Sequence, residues 1–449
     1  MLPLAVILKG LGHLVSGSDR SYDQGRTPEK FRWIESQGIT LHPQDGSGIT
    51  PEISHVVISK AVEDTVPDIA AAKEKNIPIL KRVDVLINLF NAARTRIAVS
   101  GTSGKTTTTG MAGFLLKEAG LDPTVMNGGI FRNFIHENPY STAFVGGGDI
   151  FVTEVDESDG IDAVVRFAPD IAVIHNVTLD HQPMEELKAM FSGFLAKTRT
   201  ALLNAEDLNV MAMASSYDGR IVTYSSDADV VADLCAISIA ERPDGIDAII
   251  DIRGRQVELN LQVPGRHNIS NALAAMAVGM EAGLPPELCA GILARFTGIR
   301  RRMEIVGVRN AVTVMDDFAH NPDKIAATLG TLRAFPGRLH LFFQPHGYGF
   351  LKVVGPELGE SFASHMGADD TLYMVEPLYL GGTVDRSVGA QSVIDDIAAR
   401  GRNARLMPGR EEVKNAILKD VKPGDRIVIM GARDDTLSDF AASILAEIR

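Results

Sequence analysis

The chain has 449 residues, 45% of them apolar, two cysteines and a formal net charge of −13 at pH 7. At roughly 150 residues per domain that length suggests three cores, and the acidic balance argues against a nucleic-acid backbone as partner, which would demand basic faces. No run approaches the ~18 to 20 uninterrupted apolar residues of a membrane span, and the apolar opening Met1–Leu8 lacks a basic start and a small-residue cleavage site, so a cytoplasmic protein is expected. Cys235 and Cys289 then read as core thiols of a reducing compartment.

Residues 1–92 alternate helix-like and strand-like segments, with helices near 28–37 and 67–75 and a strand over 54–59, the rhythm of a parallel α/β domain. That rhythm begins on a helix, so this N-terminal Rossmann-like domain is expected to lack its first strand and Gly-rich turn. Asp19, after Val15-Ser16-Gly17-Ser18, either meets a ribose hydroxyl or caps a turn.

The central portion, 93–302, opens on Ile97-Ala98-Val99-Ser100-Gly101-Thr102-Ser103-Gly104-Lys105-Thr106-Thr107-Thr108-Thr109, a buried strand running through a Gly-rich turn into a helix. Gly101 and Gly104 let backbone N–H groups converge on phosphates, Lys105 supplies a positive charge, and Thr106 offers a hydroxyl to Mg²⁺ at the helix start. Four consecutive threonines are a poor helix opening on propensity grounds, so function is expected to hold them there. Further strands at 149–153 and 171–174 lead into Glu154-Val155-Asp156-Glu157-Ser158-Asp159 and into His175-Asn176 and Asp180-His181. Ends of parallel strands open onto one crevice, which makes Glu154 and His181 partners for Thr106 around magnesium. Beyond them Pro264-Gly265-Arg266-His267-Asn268-Ile269-Ser270-Asn271 precedes an Ala-rich helix over 272–282; these polar residues either cap it or hold an adenine edge. Arg300, Arg301 and Arg302 close the portion as a solvated turn or as phosphate ligands.

From 303 to 449 the rhythm restarts. Strands at 311–315, 339–343, 371–375 and 426–430 each precede a polar run, among them Asp316-Asp317-Phe318-Ala319-His320-Asn321-Pro322 and Gln344-Pro345-His346, and make a second binding edge. Gly347-x-Gly349 is half of a dinucleotide fingerprint, but Lys352 stands where the third glycine belongs, which argues against NAD.

These motifs together resemble the Mur ligase family over nearly the whole chain, most closely its UDP-N-acetylmuramate:L-alanine ligase branch. The similar segments are 101–108, 154–159 with Asp180-His181, 264–268, 316–322 and 344–346. The resemblance implies a three-domain α/β architecture: an N-terminal domain for a UDP-sugar substrate, a central phosphate-loop ATPase domain and a C-terminal Rossmann-like domain. It implies an ATP-dependent ligase of peptidoglycan precursor synthesis that joins a small-molecule carboxylate to an amino acid through an acyl phosphate, with ATP and Mg²⁺. Residue by residue, it implies ATP contacts from Gly101, Thr102, Ser103, Gly104, Lys105, Thr106, Thr107, His267, Asn268, Asn271, Arg302 and Asp316. Metal ligation falls to Thr106, Glu154 and His181; substrate contacts fall to Asp19, Asp159, His320 and His346. Lys105, His181, Arg302, His320 and His346 are the expected catalytic group, with His320 and His346 nearest the reacting carboxylate and amine, where an imidazole near its ordinary pKa takes the ammonium proton. The same chemistry on another carboxylate and amine stays open, as does a phosphate-loop NTPase that forms no bond.

Overall fold

Short, wholly apolar runs fix the centre of the structure. In Ile97-Ala98-Val99, Ile171–Ile174 and Ala201-Leu202-Leu203 every residue is buried, the pattern of parallel strands covered on both faces by helices. The protein is seen in a computed structural model that describes residues 1–60, 62–177, 183–377, 385–432, 434 and 436–449. It divides into two compact units, the first made of Met1–Ile239, Asp247–Asn260 and His267–Thr297, the second of Ala240–Ile246, Leu261–Arg266 and Gly298–Arg449.

The strands Ile171–Ile174, Thr95–Ser100, Ile150–Glu154 and Thr124–Met126 lie side by side in that order within a ten-stranded sheet and pair in parallel. Their carboxyl ends therefore share one edge, and the turn after the middle strand, Thr95–Ser100, leads into the helix Lys105–Glu118. A second helix, His267–Glu281, packs along that helix and is buried through most of its length. It starts five residues before the 272 expected from the sequence. Asn268 and Asn271 look like caps in the sequence, yet both lie inside the helix: Asn271 Nδ2 donates to Asn268 Oδ1 (2.9 Å) and Thr108 Oγ1 donates to Asn271 Oδ1 (3.0 Å).

Residues 1–94 open on the helix Leu2–Gly10 and contribute two small parallel pairs, Ser16–Gly17 with Thr40–Leu41 and Val56–Ile58 with Ile79–Lys81. The helices Pro28–Ser36 and Pro67–Glu74 fall where expected, and a further helix, Arg82–Ala92, buries Leu86, Ile87 and Phe90. Phe90 meets Phe151 and Phe167 edge-on.

The second unit carries a six-stranded sheet in the order Glu304–Arg309, Val312–Asp317, Arg426–Gly431, Leu339–Gln344, Thr371–Met374, Asn403–Leu406. Only the first pair is antiparallel; the rest are parallel, so the runs after 317, 344, 374 and 431 again share one edge. Both cysteines are free and buried, as expected of core thiols. No helix among the described residues is long and apolar enough to cross a membrane.

Candidate active site

The loop Gly101–Lys105 is shaped by the dipeptide that ends the neighbouring strand. Ser103 N–H donates to Asn176 Oδ1 (2.7 Å), Asn176 Nδ2 donates back to Ser103 O (3.1 Å), and Thr102 N–H donates to Asn176 O (3.0 Å). Asn176 thus clamps the loop with both its side chain and its backbone. Gly101 and Gly104 take φ of 128° and 88°, a region that L side chains rarely enter.

Lys105 Nζ reaches Glu157 Oε2 at 2.7 Å and also donates to Gly101 O (2.6 Å) and Thr102 O (3.3 Å). The pair is largely desolvated, with side-chain exposures of 12% and 9%. Burial raises the Glu157 carboxyl above its ordinary range against the opposing pull of Lys105. Burial also pushes Asp156 upward, but Lys105 and hydrogen bonds from Ser158 outweigh it and leave that group lowered. Asp159 is raised, again by burial, against Arg82, whose Nη2 contacts both its oxygens at 3.1 and 3.0 Å.

Thr106 Oγ1 donates to Glu154 Oε2 at 2.8 Å. Beside this pair passes Gly128, where an added Cβ would come within 2.1 Å of Glu154 Oε1 and 2.9 Å of Thr106 Oγ1. A bare backbone there keeps a small oxygen-lined cradle open. A hydroxyl and a carboxylate are hard ligands, and Mg²⁺ characteristically takes one or two such groups and completes its shell with phosphate oxygens and water. The residues present fit that ion. No cluster of three or more His, Cys, Asp or Glu positioned to hold a metal occurs among the described residues. His181, expected as the other metal ligand, lies outside the described residues, as does Asp180.

The remaining expected residues fall as follows. Thr107 is half-buried on the first turn of the loop helix. His267 is exposed at the start of its helix, whereas Asn268 and Asn271 are buried and tied to each other and to Thr108. Asp19 is exposed and caps the short helix Arg20–Asp23, its Oδ1 accepting from Ser21 N–H at 2.7 Å. In the second unit Arg302 stacks over Phe318, 4.8 Å from the ring centroid. Asp316 is fully buried and accepts from Ser438 Oγ (2.6 Å) and Arg301 Nε (3.2 Å).

His320 and His346 do come together, their rings edge-to-face at 5.7 Å, with His346 4.1 Å from Phe350. The expectation of ordinary basicity needs correction at His320: burial, followed by the charge of Lys324, pushes it down to about 4. Its Nδ1 faces Phe318 O at 2.8 Å, so Nδ1 carries the hydrogen and Nε2 keeps the lone pair.

Three contributors escaped the sequence reading. Glu157 sits in an acidic run whose members look alike in one dimension. Asn176 was placed at a strand end but given no task. Gly128 belongs to no motif, and its close approach exists only in three dimensions.

Comparison with known proteins gives three family matches: "Mur ligase family, catalytic domain" over residues 1–94, "Mur ligase middle domain" over 99–279 and "Mur ligase, glutamate ligase domain" over 301–433. The chain is 36% identical over 475 residues to a UDP-N-acetylmuramate–L-alanine ligase of Rhizobium meliloti, covering 100% of this chain and 95% of that one. It is 34% identical to the protein of the same name from Streptomyces avermitilis, over 97% of this chain and 93% of that one. Among solved structures, a UDP-N-acetylmuramate-alanine ligase from Thermotoga maritima shares the fold at a TM-score of 0.81 and 23% identity, over 99% and 95% of the two chains. A murein peptide ligase from Psychrobacter arcticus does so at 0.71 and 23%, over 100% and 96%.

Proposed function

The chain belongs to the Mur ligase family, ATP-dependent amide ligases, and on that premise we propose that it joins the carboxylate of UDP-N-acetylmuramate to the amino group of L-alanine, in the cytoplasm. The observation that carries this reading is the loop Gly101–Thr106, with Lys105 and Thr106 each bonded to a carboxylate of the 154–159 segment, in a chain similar over its full length to ligases of that name.

A carboxylate is a poor acyl donor because its leaving group would be an oxide. Transfer of the γ-phosphoryl group of ATP to it makes an acyl phosphate, and attack by the amine then forms the amide and releases phosphate. Such transfers depend mainly on positioning and charge stabilisation. Thr102 and Ser103 give their backbone N–H groups to Asn176, so those of Gly104, Lys105 and Thr106 cradle the phosphates, and Lys105 exchanges Glu157 for phosphate oxygens. Thr106 and Glu154 would hold one Mg²⁺, with Glu154 and His181 assigned to a second; the ion, when bound, neutralises charge on the phosphate oxygens. His267, Asn268 and Asn271 border the adenine, and Arg302 is assigned to the phosphates. His320, neutral at the working pH, serves the substrates through the Nε2 lone pair and His346 lies beside it; Asp159 acts through Arg82.

The test is release of phosphate from ATP by the purified chain, given UDP-N-acetylmuramate and each amino acid in turn. Turnover that requires both UDP-N-acetylmuramate and L-alanine is expected. Turnover with another carboxylate or amine moves the assignment to a different substrate pair, and hydrolysis indifferent to any amine refutes ligation.

A further inference from the structure

His175 follows the strand Ile171–Ile174 and has no task in the reading above. It is 5% exposed, and its Nδ1 lies 2.8 Å from Tyr224 Oη, the two rings inclined by 23°. Tyr224 is fully buried, and this contact is the only side-chain hydrogen bond its hydroxyl makes among the described residues. A buried O–H needs an acceptor, so the hydrogen in this bond is the phenol's; were it the imidazole's, the phenolic hydrogen would have nowhere to go. Tyr224 therefore donates to Nδ1, and the neutral ring carries its own hydrogen on Nε2. Burial, reinforced by the charges of Glu206 and Asp207, keeps the phenol protonated, and burial together with His267 holds His175 down at about 4.

The Nε2 edge faces the crown of the phosphate loop. A Cβ placed on Gly104 would come 2.5 Å from His175 Cδ2, 2.9 Å from Nε2 and 2.7 Å from Asn271 Oδ1. Gly104 thus rests directly against the ring, next to the helix that carries His267, Asn268 and Asn271. Among the described residues nothing accepts the Nε2–H. A donor fixed in direction by a buried tyrosine and left beside Gly104 without an acceptor among the described residues has a ligand's acceptor as its natural partner.

We propose that His175 is a nucleotide-binding residue, donating its Nε2–H to ATP seated on the Gly101–Thr106 loop. The inference rests on the ligase reading only in that ATP occupies this loop. The acceptor is a phosphate oxygen or a purine ring nitrogen, both of which take one hydrogen bond from a neutral imidazole.

Two substitutions separate the two ring nitrogens. His175→Asn keeps an amide near the Nδ1 position to meet Tyr224 and removes the outer donor; His175→Gln places an amide N–H near the Nε2 position. By displacement of a fluorescent ATP analogue, His175→Asn is expected to bind ATP about tenfold more weakly, a free-energy loss of about 1.4 kcal/mol. Its KM for ATP rises in step, while its KM for the amine and its melting temperature without nucleotide hold. His175→Gln recovers most of the affinity. The loss extends to inorganic triphosphate if the acceptor is a phosphate and spares it if the acceptor is the purine. ATP affinity within twofold of the parent in His175→Asn overturns the proposal, as does an equal loss in both variants accompanied by a lower melting temperature. Should His175→Asn fail to fold, Tyr224→Phe, which unlocks the hydrogen from Nε2, is expected to weaken ATP about threefold, and unchanged affinity there is equally fatal. A parent chain that binds no ATP refutes the ligase reading instead.

Discussion

Gly128→Ala places the smallest possible side chain where the structure leaves none. The new Cβ would lie 2.1 Å from Glu154 Oε1, 2.9 Å from Glu154 Cδ and 2.9 Å from Thr106 Oγ1. An ordinary contact needs roughly 3.3 Å, so the carboxylate must retreat by about 1.2 Å or the backbone must give by as much. Retreat breaks the 2.8 Å bond from Thr106 to Glu154, a charged hydrogen bond worth about 1.5 to 3 kcal/mol. It also moves a ligand off the cradle, a disturbance that in metal sites typically costs about 10- to 100-fold in affinity or activity. The φ of Gly128 is outside the left-handed region, so alanine adds no backbone strain and the effect is steric. Phosphate release with UDP-N-acetylmuramate and L-alanine, measured against Mg²⁺ concentration, is expected to show half-saturation at about tenfold or more magnesium, with a melting temperature lowered by only a few degrees. An unchanged magnesium requirement in a folded Gly128→Ala chain would refute the assignment of Thr106 and Glu154 to the metal.

Lys105→Ala should bring phosphate release below detection and remove the ammonium that faces the buried Glu157 carboxylate, costing about 3 to 5 kcal/mol at pH 8. Since Glu157 can take a proton, that loss is expected to shrink toward pH 5, as urea midpoints at the two pH values will show; retained turnover would take the loop lysine out of the mechanism. His175 and His320 both sit near 4 when folded against about 6.5 when unfolded. The unfolded chain therefore takes up protons first as pH falls, and stability complete above 6.5 declines toward 4 by up to about 3 kcal/mol per histidine. Urea midpoints flat between pH 7 and 4.5 would contradict this burial. Gly330 is exposed within the helix Pro322–Arg333 and a Cβ there would touch nothing, so Gly330→Ala should stabilise the chain by up to about 1 kcal/mol, and a lower melting temperature would count against that helix.

Legibility in the sequence followed how local each cause is. The strand–turn–helix of 95–118 was plain because apolar run, glycines and lysine fall within a dozen residues, and the restart of α/β rhythm after 302 was plain for the same reason. The start of the helix at His267 was missed because asparagines ordinarily mark helix ends; here they are bonded to each other and to Thr108 of another helix, a partner 163 positions away from Asn271. His320 read as an ordinary base because nothing in its neighbours announces that the ring is half-buried beside Lys324 and His346. Arg82 gave no signal at all, since its role is a bond to Asp159, 77 residues on.

With nucleotide seated on the loop as proposed, Lys105, bonded at once to Glu157, Gly101 and Thr102, would make nucleotide affinity a contest rather than a simple capture. A triphosphate must outbid an internal rival anion for a single ammonium, so the measured strength of binding is the difference between two attachments of similar kind. Such an exchange also leaves binding sensitive to salt, because ions screen the incoming nucleotide more than a competitor pair that is largely desolvated.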